Sequence, residues 1–524
     1  MAHPVKDVQP PDGIARPILA PRDSIAGAYH LRFALRSLFI YTGLAVAVAC
    51  VYLLLAQAQN GAFGFPLDDA WIHQVYARNL GMRGEFSFFS GQPSAGSTSP
   101  LWALVLAPAY MLHIDFRVWT VALGILCLGA SAFFASRLAR RLDVRSWVAD
   151  WLVPLFIILE WHLTWASVSG MEILLFVLLS LALIDGFLAQ ARPLGLGLLA
   201  GLLTLTRPEG IVLAGLVVMS LSIRWWLSLR EPVGSRSVWT LLQTLVAFGA
   251  SFLLLLVPYA LFNLWTSGTI LPNTFYAKSQ EYAELLQNNL LLRWLSLFRQ
   301  PVLGAQVLVL PGMGLIVWRL VRTRRYELLL PLIWVLALPT LYAVRLPVDY
   351  QFGRYEMPII PLIVIYGVAG TAELLSRIRA RVIRRAWALT VAVLVGVFAW
   401  LGANQYARST AIINCEMVAT ARWTAANLAP GALIAVHDIG AQAYFDSHPM
   451  LDLAGLVSPE VIPFIRDQRR LAEWMQVRGA RYAIFFPSWY PDLVRDSRFV
   501  LIHSDSCDAT RASGEVDLAV YEIR

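Results

Sequence analysis

The sequence predicts a mainly α-helical, polytopic membrane protein with about eleven spans and a small extracytoplasmic α/β domain at its C-terminus. Hydrophobic residues make up 58% of the 524 residues, whereas charged residues make up only 15%, against about 25% in soluble domains. Long uncharged apolar runs recur between residues 35 and 401. Each run approaches the roughly 20 residues that cross a bilayer as a helix. This composition excludes disordered, fibrous and secreted disulfide-scaffold classes.

The apolar runs locate the predicted spans. They lie near residues 37–57, 117–137, 147–166, 171–189, 194–207, 209–223, 239–262, 303–320, 328–344, 358–376 and 386–402. The fifth and sixth runs are short and Pro208 separates them, which predicts a hairpin of half-length helices.

Basic residues predict the orientation of these spans. Arg clusters at 137–141, 322–325 and 377–385 fall in alternate loops, on the same side as the basic stretch 1–36. Cytoplasmic loops are enriched in Lys and Arg, so we predict a multi-pass protein of the cell (inner or plasma) membrane. Residues 1–36 form its cytoplasmic N-terminal tail, 37–402 its transmembrane module and 403–524 its extracytoplasmic domain. The net charge of +8 then reflects topology, and we expect no nucleic-acid partner.

The C-terminal region alternates short apolar runs with helical patterns. Strands are predicted at 433–437, 480–486, 499–503 and 517–523, and helices at 412–428 and 470–477. Cys415 and Cys507 both lie here, in a compartment that permits disulfides. We expect these two cysteines to be bonded, the alternative being two unpaired thiols. Cys50 and Cys127 lie within predicted spans and should stay free.

The rare polar residues of the outer loops are the candidates for chemistry. Asp68 and Asp69 precede apolar residues at helical spacing, which predicts an amphipathic helix lying on the membrane surface with two carboxylates at its N-terminal end. Helix capping is the alternative explanation, because Asp is favoured at that position. Capping accounts for one Asp but does not require a second beside it.

Four further charged residues lie on the predicted outer side, in the loops or at the ends of predicted spans. Glu172 begins the fourth span, where a helix dipole alone would accommodate it, yet a membrane-level carboxylate is usually functional. Arg207 either binds phosphate or pairs with Glu209, two residues away. Lys278 and Lys6 are the only Lys among 42 basic residues, so Lys278 is a candidate for a compact positive charge. Arg354 is either a phosphate ligand or an ordinary interfacial arginine.

Two other polar segments have a simpler interpretation. The Gly/Ser/Thr-rich stretch 84–99 fits a turn slightly better than an anion or sugar site, and it leads into a second amphipathic stretch at 101–112. His437 and Asp438 lie at the end of the predicted strand 433–437 of the C-terminal domain, and Asp452 follows further along the chain. We interpret them as turn residues, the alternative being contact with an acceptor.

Taken together, these motifs resemble the GT-C glycosyltransferases, a group that includes protein O-mannosyltransferases, lipid A aminoarabinose transferases and mycobacterial arabinofuranosyltransferases. The resemblance covers roughly residues 37–402. It rests on the order and shared sidedness of the outer Asp-Asp loop and four motifs. These are Ser-Gly-Met-Glu at 169–172, Leu-Thr-Arg-Pro-Glu-Gly at 205–210, Gly-Thr-Ile-Leu-Pro-Asn-Thr-Phe-Tyr-Ala-Lys at 268–278 and Gly-Arg-Tyr-Glu-Met-Pro at 353–358.

The resemblance implies a GT-C-like fold and an enzyme that moves a hexosyl or pentosyl group from a polyprenyl-phosphate donor, with inversion. The acceptor would be an extracytoplasmic glycan, lipid or protein of the cell envelope. Asp68 would be the general base, and Asp69 and Glu172 would orient the acceptor or bind a divalent metal ion, a choice the sequence leaves open. Arg207, Lys278 and Arg354 would bind the donor phosphate. The alternatives are a multi-span lipid or sugar transporter or flippase, and an inactive relative.

Overall fold

The computed structural model describes residues 22–228 and 237–524, with side chains from residue 34 onward. The first helix begins at Arg22 and ends at Asn60. Of the predicted cytoplasmic tail, residues 1–21 lie outside the described residues.

The predicted spans coincide with helices. In the described part of the chain, 8 helices are long and apolar enough to cross a membrane: Ala34–Asn60, Phe116–Arg140, Gly210–Ser228, Val238–Ser267, Ala305–Arg322, Tyr326–Arg345, Tyr350–Arg377 and Arg381–Asn427. A further pair, Val148–Leu159 and Trp161–Val168, is bent by 62°. The two remaining predicted spans correspond to the shorter helices Ile173–Leu188 and Pro193–Thr206. The protein is therefore a multi-pass membrane protein built mainly from helices.

The bend in the third predicted span has a local cause. Glu160 adopts an extended conformation and its carboxylate accepts a hydrogen bond from the Leu163 amide, which caps the helix Trp161–Val168. The same carboxylate bonds Nδ1 of His162 at 2.7 Å. A single apolar run thus forms two helices, because a buried carboxylate starts the second one.

Short elements fill the loops between these helices. The first loop holds the helices Asp69–Arg83, Pro100–Leu106 and Pro108–Met111 and an antiparallel pair of strands, Ser87–Phe89 and Gln92–Pro93. A later loop holds the helices Asn273–Glu281 and Leu290–Arg299. Arg354 follows the short helix Tyr350–Gly353, and the helix Ile360–Arg377 begins just beyond it.

The C-terminal region is a five-stranded mixed sheet flanked by helices. Its strands, in spatial order, are Met450–Asp452, Ile434–Val436, Tyr482–Phe485, Ala519–Ile523 and Phe499–Ser504. The first three are parallel and the last two pair antiparallel. The helices are Ala419–Asn427, Ile439–Phe445, Gln468–Val477, Pro491–Arg495 and Asp508–Arg511. The predicted strands are present, whereas the sequence analysis missed Met450–Asp452 and Ile439–Phe445, both too short to show a period.

The helix Asp69–Arg83 departs from the expectation of a membrane-surface helix. Its residues 70 to 77 are all buried, so it has no broad solvent face. The helix Ile439–Phe445 of the C-terminal domain packs across it, with Trp71 against the rings of Tyr444 and Phe445 at 4.9 Å. Arg78 donates to the carbonyl oxygens of Ala443 and Tyr444. The helix is present as predicted, but it lacks the open polar face of an amphipathic surface helix, because the second domain covers that side.

Cys415 and Cys507 are joined by a disulfide, with Cα atoms 5.8 Å apart. The bond links the end of the last long helix to the segment that precedes the final strand of the domain. Cys50 and Cys127 are free. Disulfides form and persist in oxidising compartments. Formation of this bond in cells would therefore indicate that the domain lies outside the cytoplasm.

We expect Cys415 and Cys507 to resist a membrane-impermeant maleimide in intact spheroplasts until a membrane-impermeant phosphine reduces them. Mass spectrometry of the labelled peptides would measure this. The matched control is the Cys507→Ser variant, whose unpaired and partly exposed Cys415 should label without reduction. Labelling of the wild-type pair only after the membrane is permeabilised would place the domain on the cytoplasmic side.

Candidate active site

Two cavities meet beneath the C-terminal domain. The inner cavity, of about 370 Å³, lies among the membrane helices and is lined mainly by apolar side chains. The outer cavity, of about 530 Å³, lies between the membrane module and the C-terminal domain. The two share the lining residues Asp69, Ile72, Lys278, Arg354 and Leu456. We call this shared set the junction.

Asp69 holds the cations of the junction in place. Its Oδ2 accepts a hydrogen bond of 2.6 Å from Nη1 of Arg354, and its Oδ1 lies 3.9 Å from Nζ of Lys278. Burial alone would raise the pKa of the Asp69 carboxyl, but Arg354 and Lys278 hold it below its ordinary value. Asp69 therefore stays ionised and is poorly suited to accept a proton.

The ring of Tyr355 is the centre around which the predicted cations gather. Arg354 lies 5.0 Å and Arg207 4.9 Å from the ring centroid, and Nζ of Lys278 lies 6.0 Å away. The Tyr355 hydroxyl is 3.2 Å from both Lys278 Nζ and Arg354 Nη2. Two membrane-module loops and the turn at Arg207 thus converge on one aromatic ring.

Glu172 and Arg207 form a second charged group on the wall of the inner cavity. The side chain of Glu172 does not cap its own helix. Instead, Oε2 lies 3.1 Å from Nε2 of His73 and Oε1 lies 3.7 Å from Nη1 of Arg207. Arg207 also approaches Glu209, 3.5 Å away, because the chain between the helices ending at Thr206 and starting at Gly210 is not helical.

The Ser/Thr-rich segment follows the antiparallel strand pair of the first loop. It lines the inner cavity and also holds neighbouring elements in place. Its backbone carbonyls accept hydrogen bonds from the Asn273 amide, the Thr274 hydroxyl and the Tyr259 hydroxyl. Residues 96–98 also line the inner cavity. The predicted turn is therefore part of the candidate site through its position, while its carbonyls are used to hold neighbouring elements.

Asp68 faces away from Asp69, toward the C-terminal domain. It stands at the N-terminus of the helix Asp69–Arg83 but its side chain does not cap that helix. Its two carboxylate oxygens accept hydrogen bonds from the amides of Gly440 and Ala441, at 2.7 and 2.8 Å. It thus caps the helix Ile439–Phe445 of the C-terminal domain, and the alternative explanation that it caps its own helix is wrong.

Asp68 is also the better proton acceptor of the pair. Burial raises the pKa of its carboxyl to about 6, against the lowering effect of the two amide hydrogen bonds. Asp68 lines the outer cavity and Asp69 lines both cavities. The two adjacent carboxylates therefore have different electrostatic environments and different neighbours.

The structure brings five of the six candidate side chains to the inner cavity: Asp69, Glu172, Arg207, Lys278 and Arg354. The sixth, Asp68, lies on the outer side of the junction. The sequence analysis did not assign roles to Tyr355 and His73, although both lie inside the motifs it identified. Both residues lie within four positions of a candidate charged residue, and this proximity in sequence is the signal that could have identified them.

The interpretation of the C-terminal polar residues as turn residues is only partly right. Asp452 does bind the amides of Ala454 and Val457, at 2.8 and 2.7 Å. Asp438, in contrast, makes no side-chain cap bond, its buried Oδ2 has no hydrogen-bond partner, and it lines the outer cavity. His437 lines the same cavity.

The expected metal ligands are already matched with cations. Asp69 lies between Arg354 and Lys278, and Glu172 lies against His73 and Arg207. Within residues 22–228 and 237–524, the group of His, Cys, Asp or Glu side chains close enough to hold a metal ion is Cys415, Glu416 and Cys507, whose cysteines are disulfide-bonded. Carboxylates that are already paired with cations in this way do not fit a catalytic divalent cation.

Comparison with known proteins identifies the fold. Residues 401–521 match a family described as a domain of unknown function (DUF8728), and no curated protein sequence matches the chain. ArnT from Cupriavidus metallidurans, solved with undecaprenyl phosphate, superposes with a TM-score of 0.56 at 16% identity over 92% of this chain and 97% of that one. The oligosaccharyltransferase AglB from Archaeoglobus fulgidus, solved with an inhibitory peptide and dolichol phosphate, gives 0.54 at 11% identity over 86% and 69%. The chain therefore has the GT-C fold that it shares with these proteins.

Proposed function

We propose that this protein is an inverting membrane glycosyltransferase that moves a sugar from a polyprenyl-phosphate donor to an extracytoplasmic acceptor. One observation carries the proposal: Arg207, Lys278 and Arg354 surround Tyr355 where an apolar cavity among the membrane helices meets a more polar outer cavity. An apolar tail, an anionic headgroup and a polar acceptor each find a matching environment there. Its sidedness is proposed as the charge pattern predicts it, with the N-terminus cytoplasmic and the site outside.

The inner cavity supplies a place for the isoprenoid tail next to positive charge. Apolar side chains such as Ile211, Val212 and Leu341 line its membrane side. Arg345 lines the cavity as well, packed on Phe275 at 4.3 Å from the ring centroid. A lipid phosphate that enters from the bilayer would therefore pass from an apolar surface to a cluster of guanidinium and ammonium groups.

Charge balance within the cluster favours the junction as the phosphate position. Lys278 and Arg354 share the single carboxylate of Asp69. Arg207 lies between two carboxylates, Glu172 and Glu209. The excess of positive charge is thus at the junction, and the phosphate there would present its sugar toward the outer cavity.

The reaction then needs one proton acceptor. An acceptor hydroxyl in the outer cavity attacks the anomeric carbon and forms a new C–O bond, while the bond from that carbon to the phosphate oxygen breaks. The electron pair leaves on the lipid phosphate, where Lys278 and Arg354 stabilise it. Asp68 takes the hydroxyl proton as general base. Attack opposite the leaving phosphate inverts the anomeric centre.

Consumption of a polyprenyl-phosphate sugar by the purified protein in detergent tests the proposal directly. Product formation should require both the lipid-linked sugar and an acceptor. If the protein binds the donor but only moves it between leaflets of reconstituted vesicles, the transporter class is correct and the enzyme proposal is wrong.

We expect Lys278→Ala and Arg354→Ala to weaken use of the donor by about tenfold to a hundredfold, since charge-assisted hydrogen bonds contribute roughly 1.5–3 kcal/mol each. Arg207→Ala should lose less, because its positive charge is already matched by carboxylates. Steady-state kinetics with varied donor would measure this. Arg117→Ala is the control, because Arg117 pairs with Asp115 outside both cavities. Wild-type kinetics in all the cavity variants would remove the cluster from the site.

Tyr355→Phe should separate the role of the hydroxyl from that of the ring. The variant keeps the ring near the three cations but removes the hydroxyl that contacts Lys278 and Arg354. We expect a loss in donor use of about tenfold or less, because the variant removes a group that orients the two cations but leaves their charges in place, a change of about 1 kcal/mol. A loss as large as that of Arg354→Ala would show that the hydroxyl itself contacts the reacting group.

Asp68→Asn should lower turnover by about 10²–10⁴, the usual contribution of a general base. The variant also loses one of the two amide hydrogen bonds that join the domains, so a matched control is needed. Gly440→Ala provides it, because a Cβ there would lie 2.7 Å from Oδ2 of Asp68 and closer still to its carbonyl oxygen.

Gly440→Ala keeps the carboxylate while it disturbs the same contact. Both variants should lower the melting temperature, but Gly440→Ala should lose no more than about tenfold in turnover. Equal losses of turnover in the two variants would show that displacing the Asp68 carboxylate costs as much as neutralising it, and the pH profile then distinguishes a base from a domain anchor.

The pH profile gives an independent test of the base. The pKa of Asp68 is raised to about 6 by burial, and a general base works only when deprotonated. In the wild type, kcat/KM should therefore rise with pH up to about 6 and level off above it. The residual kcat/KM of Asp68→Asn should not show this rise with pH. A wild-type profile that is flat between pH 5 and 8 would contradict the assignment.

A further inference from the structure

The outer cavity has a chemistry that the donor does not explain. Carboxyl groups of Asp68, Glu281, Asp438 and Glu515 line it together with the hydroxyls of Thr510 and Ser513. In the described part of the chain, the positively charged side chains that line this cavity are Lys278 and Arg354, and both belong to the junction. The part of the cavity away from the donor is thus rich in hydrogen-bond acceptors and free of positive charge.

An aromatic wall stands opposite the junction. The indole of Trp489 is held edge-to-face against the His437 ring at 4.9 Å and packs on Phe486 at 4.9 Å, yet 47% of Trp489 is exposed. His437 is itself fixed by a hydrogen bond of 2.7 Å between its Nδ1 and the Tyr490 hydroxyl. The indole of Trp489 is therefore half-exposed beside the cavity, and its neighbours fix its orientation.

The electrostatics of the wall disfavour an anionic ligand. Burial lowers the pKa of His437 to about 4, so this ring is neutral at neutral pH and adds no positive charge. Burial and the neighbouring carboxylates Asp68 and Asp69 hold the pKa of Asp438 well above its ordinary value. A carboxyl that keeps its proton both donates and accepts hydrogen bonds, as a partner for neutral hydroxyls must.

We propose that the outer cavity is the acceptor site and that its ligand is a neutral carbohydrate. A sugar ring would lie on the exposed face of Trp489, where its polarised C–H groups meet the negative face of the indole. Its hydroxyls would bond Glu281 and Asp438, whose Oδ2 is buried and has no partner. The inference rests on the proposed function and adds the acceptor class to it.

The position of the cavity agrees with this assignment. Asp68 lies on the same wall as Asp438 and next to the junction, so a hydroxyl of the bound sugar would reach the base and the donor carbon together. Phosphorylated and acidic glycans would instead bring negative charge against the carboxylates of the wall.

Binding of defined probes by the purified full-length protein tests the proposal. The probes are an array of neutral gluco-, galacto-, manno- and arabino-oligosaccharides, their uronic-acid counterparts, and neutral and lysine-rich peptides. Undecaprenyl phosphate binding, measured by thermal shift on the same preparations, reports on the donor site separately. The variants are Trp489→Ala, Trp489→Phe and, as the matched control, Trp474→Ala, a tryptophan of the same domain that lies outside the cavity.

The wild type should bind at least one neutral oligosaccharide. Trp489→Ala should weaken that binding by about tenfold or more, Trp489→Phe should recover part of it, and Trp474→Ala should stay within about twofold. Undecaprenyl phosphate binding should be the same in all four proteins. The acceptor assignment is overturned if only uronic acids or peptides bind, or if Trp489→Ala leaves sugar binding intact. In either case, normal binding of undecaprenyl phosphate would still support the donor site. Failure of the wild type to bind undecaprenyl phosphate counts against the proposed function itself.

Discussion

Two adjacent carboxylates enter the protein interior at the start of one helix, and each needs its own partner there. Asp69 turns toward Arg354 and Lys278 of the membrane module, and Asp68 turns toward the Gly440 and Ala441 amides of the C-terminal domain. Satisfying both charges fixes the position of the domain on the membrane helices. It also separates an ion-paired carboxylate from one whose pKa is raised to about 6. The same geometry thus holds the two parts together and distinguishes the two acidic groups.

Carboxylates hold the positive charges of the site in place. Lys278 and Arg354 are kept within reach of Tyr355 by Asp69, so both cations are already oriented for the donor phosphate that we propose. Such preorganisation matters most where little water competes, because electrostatic interactions strengthen as the local dielectric falls. The apolar walls of the inner cavity provide that environment beside the membrane.

Residue composition and charge asymmetry predict the helical spans, since both act over whole segments and require no knowledge of contacts. The unusual Lys278 was also visible, because the chain otherwise uses Arg. The roles of Tyr355, His73 and Gly440 were not predictable, since they depend on partners such as Arg207, Glu172 and Asp68 that are distant in sequence. The amphipathic pattern of the helix Asp69–Arg83 indicated a buried face but could not show that another domain covers the remainder.

The division of the site between two folding units has a chemical consequence. The charged and apolar walls that suit a lipid phosphate come almost entirely from the membrane module, with Leu456 as the contribution of the C-terminal domain. The outer cavity takes much of its wall, including His437, Asp438 and Trp489, from that domain. Changes in the C-terminal domain can therefore alter what is bound outside without moving Lys278, Arg354 or Tyr355. Asp68 belongs to both the outer cavity and the contact between the two parts of the chain. Its carboxylate lines the cavity and also caps the helix Ile439–Phe445.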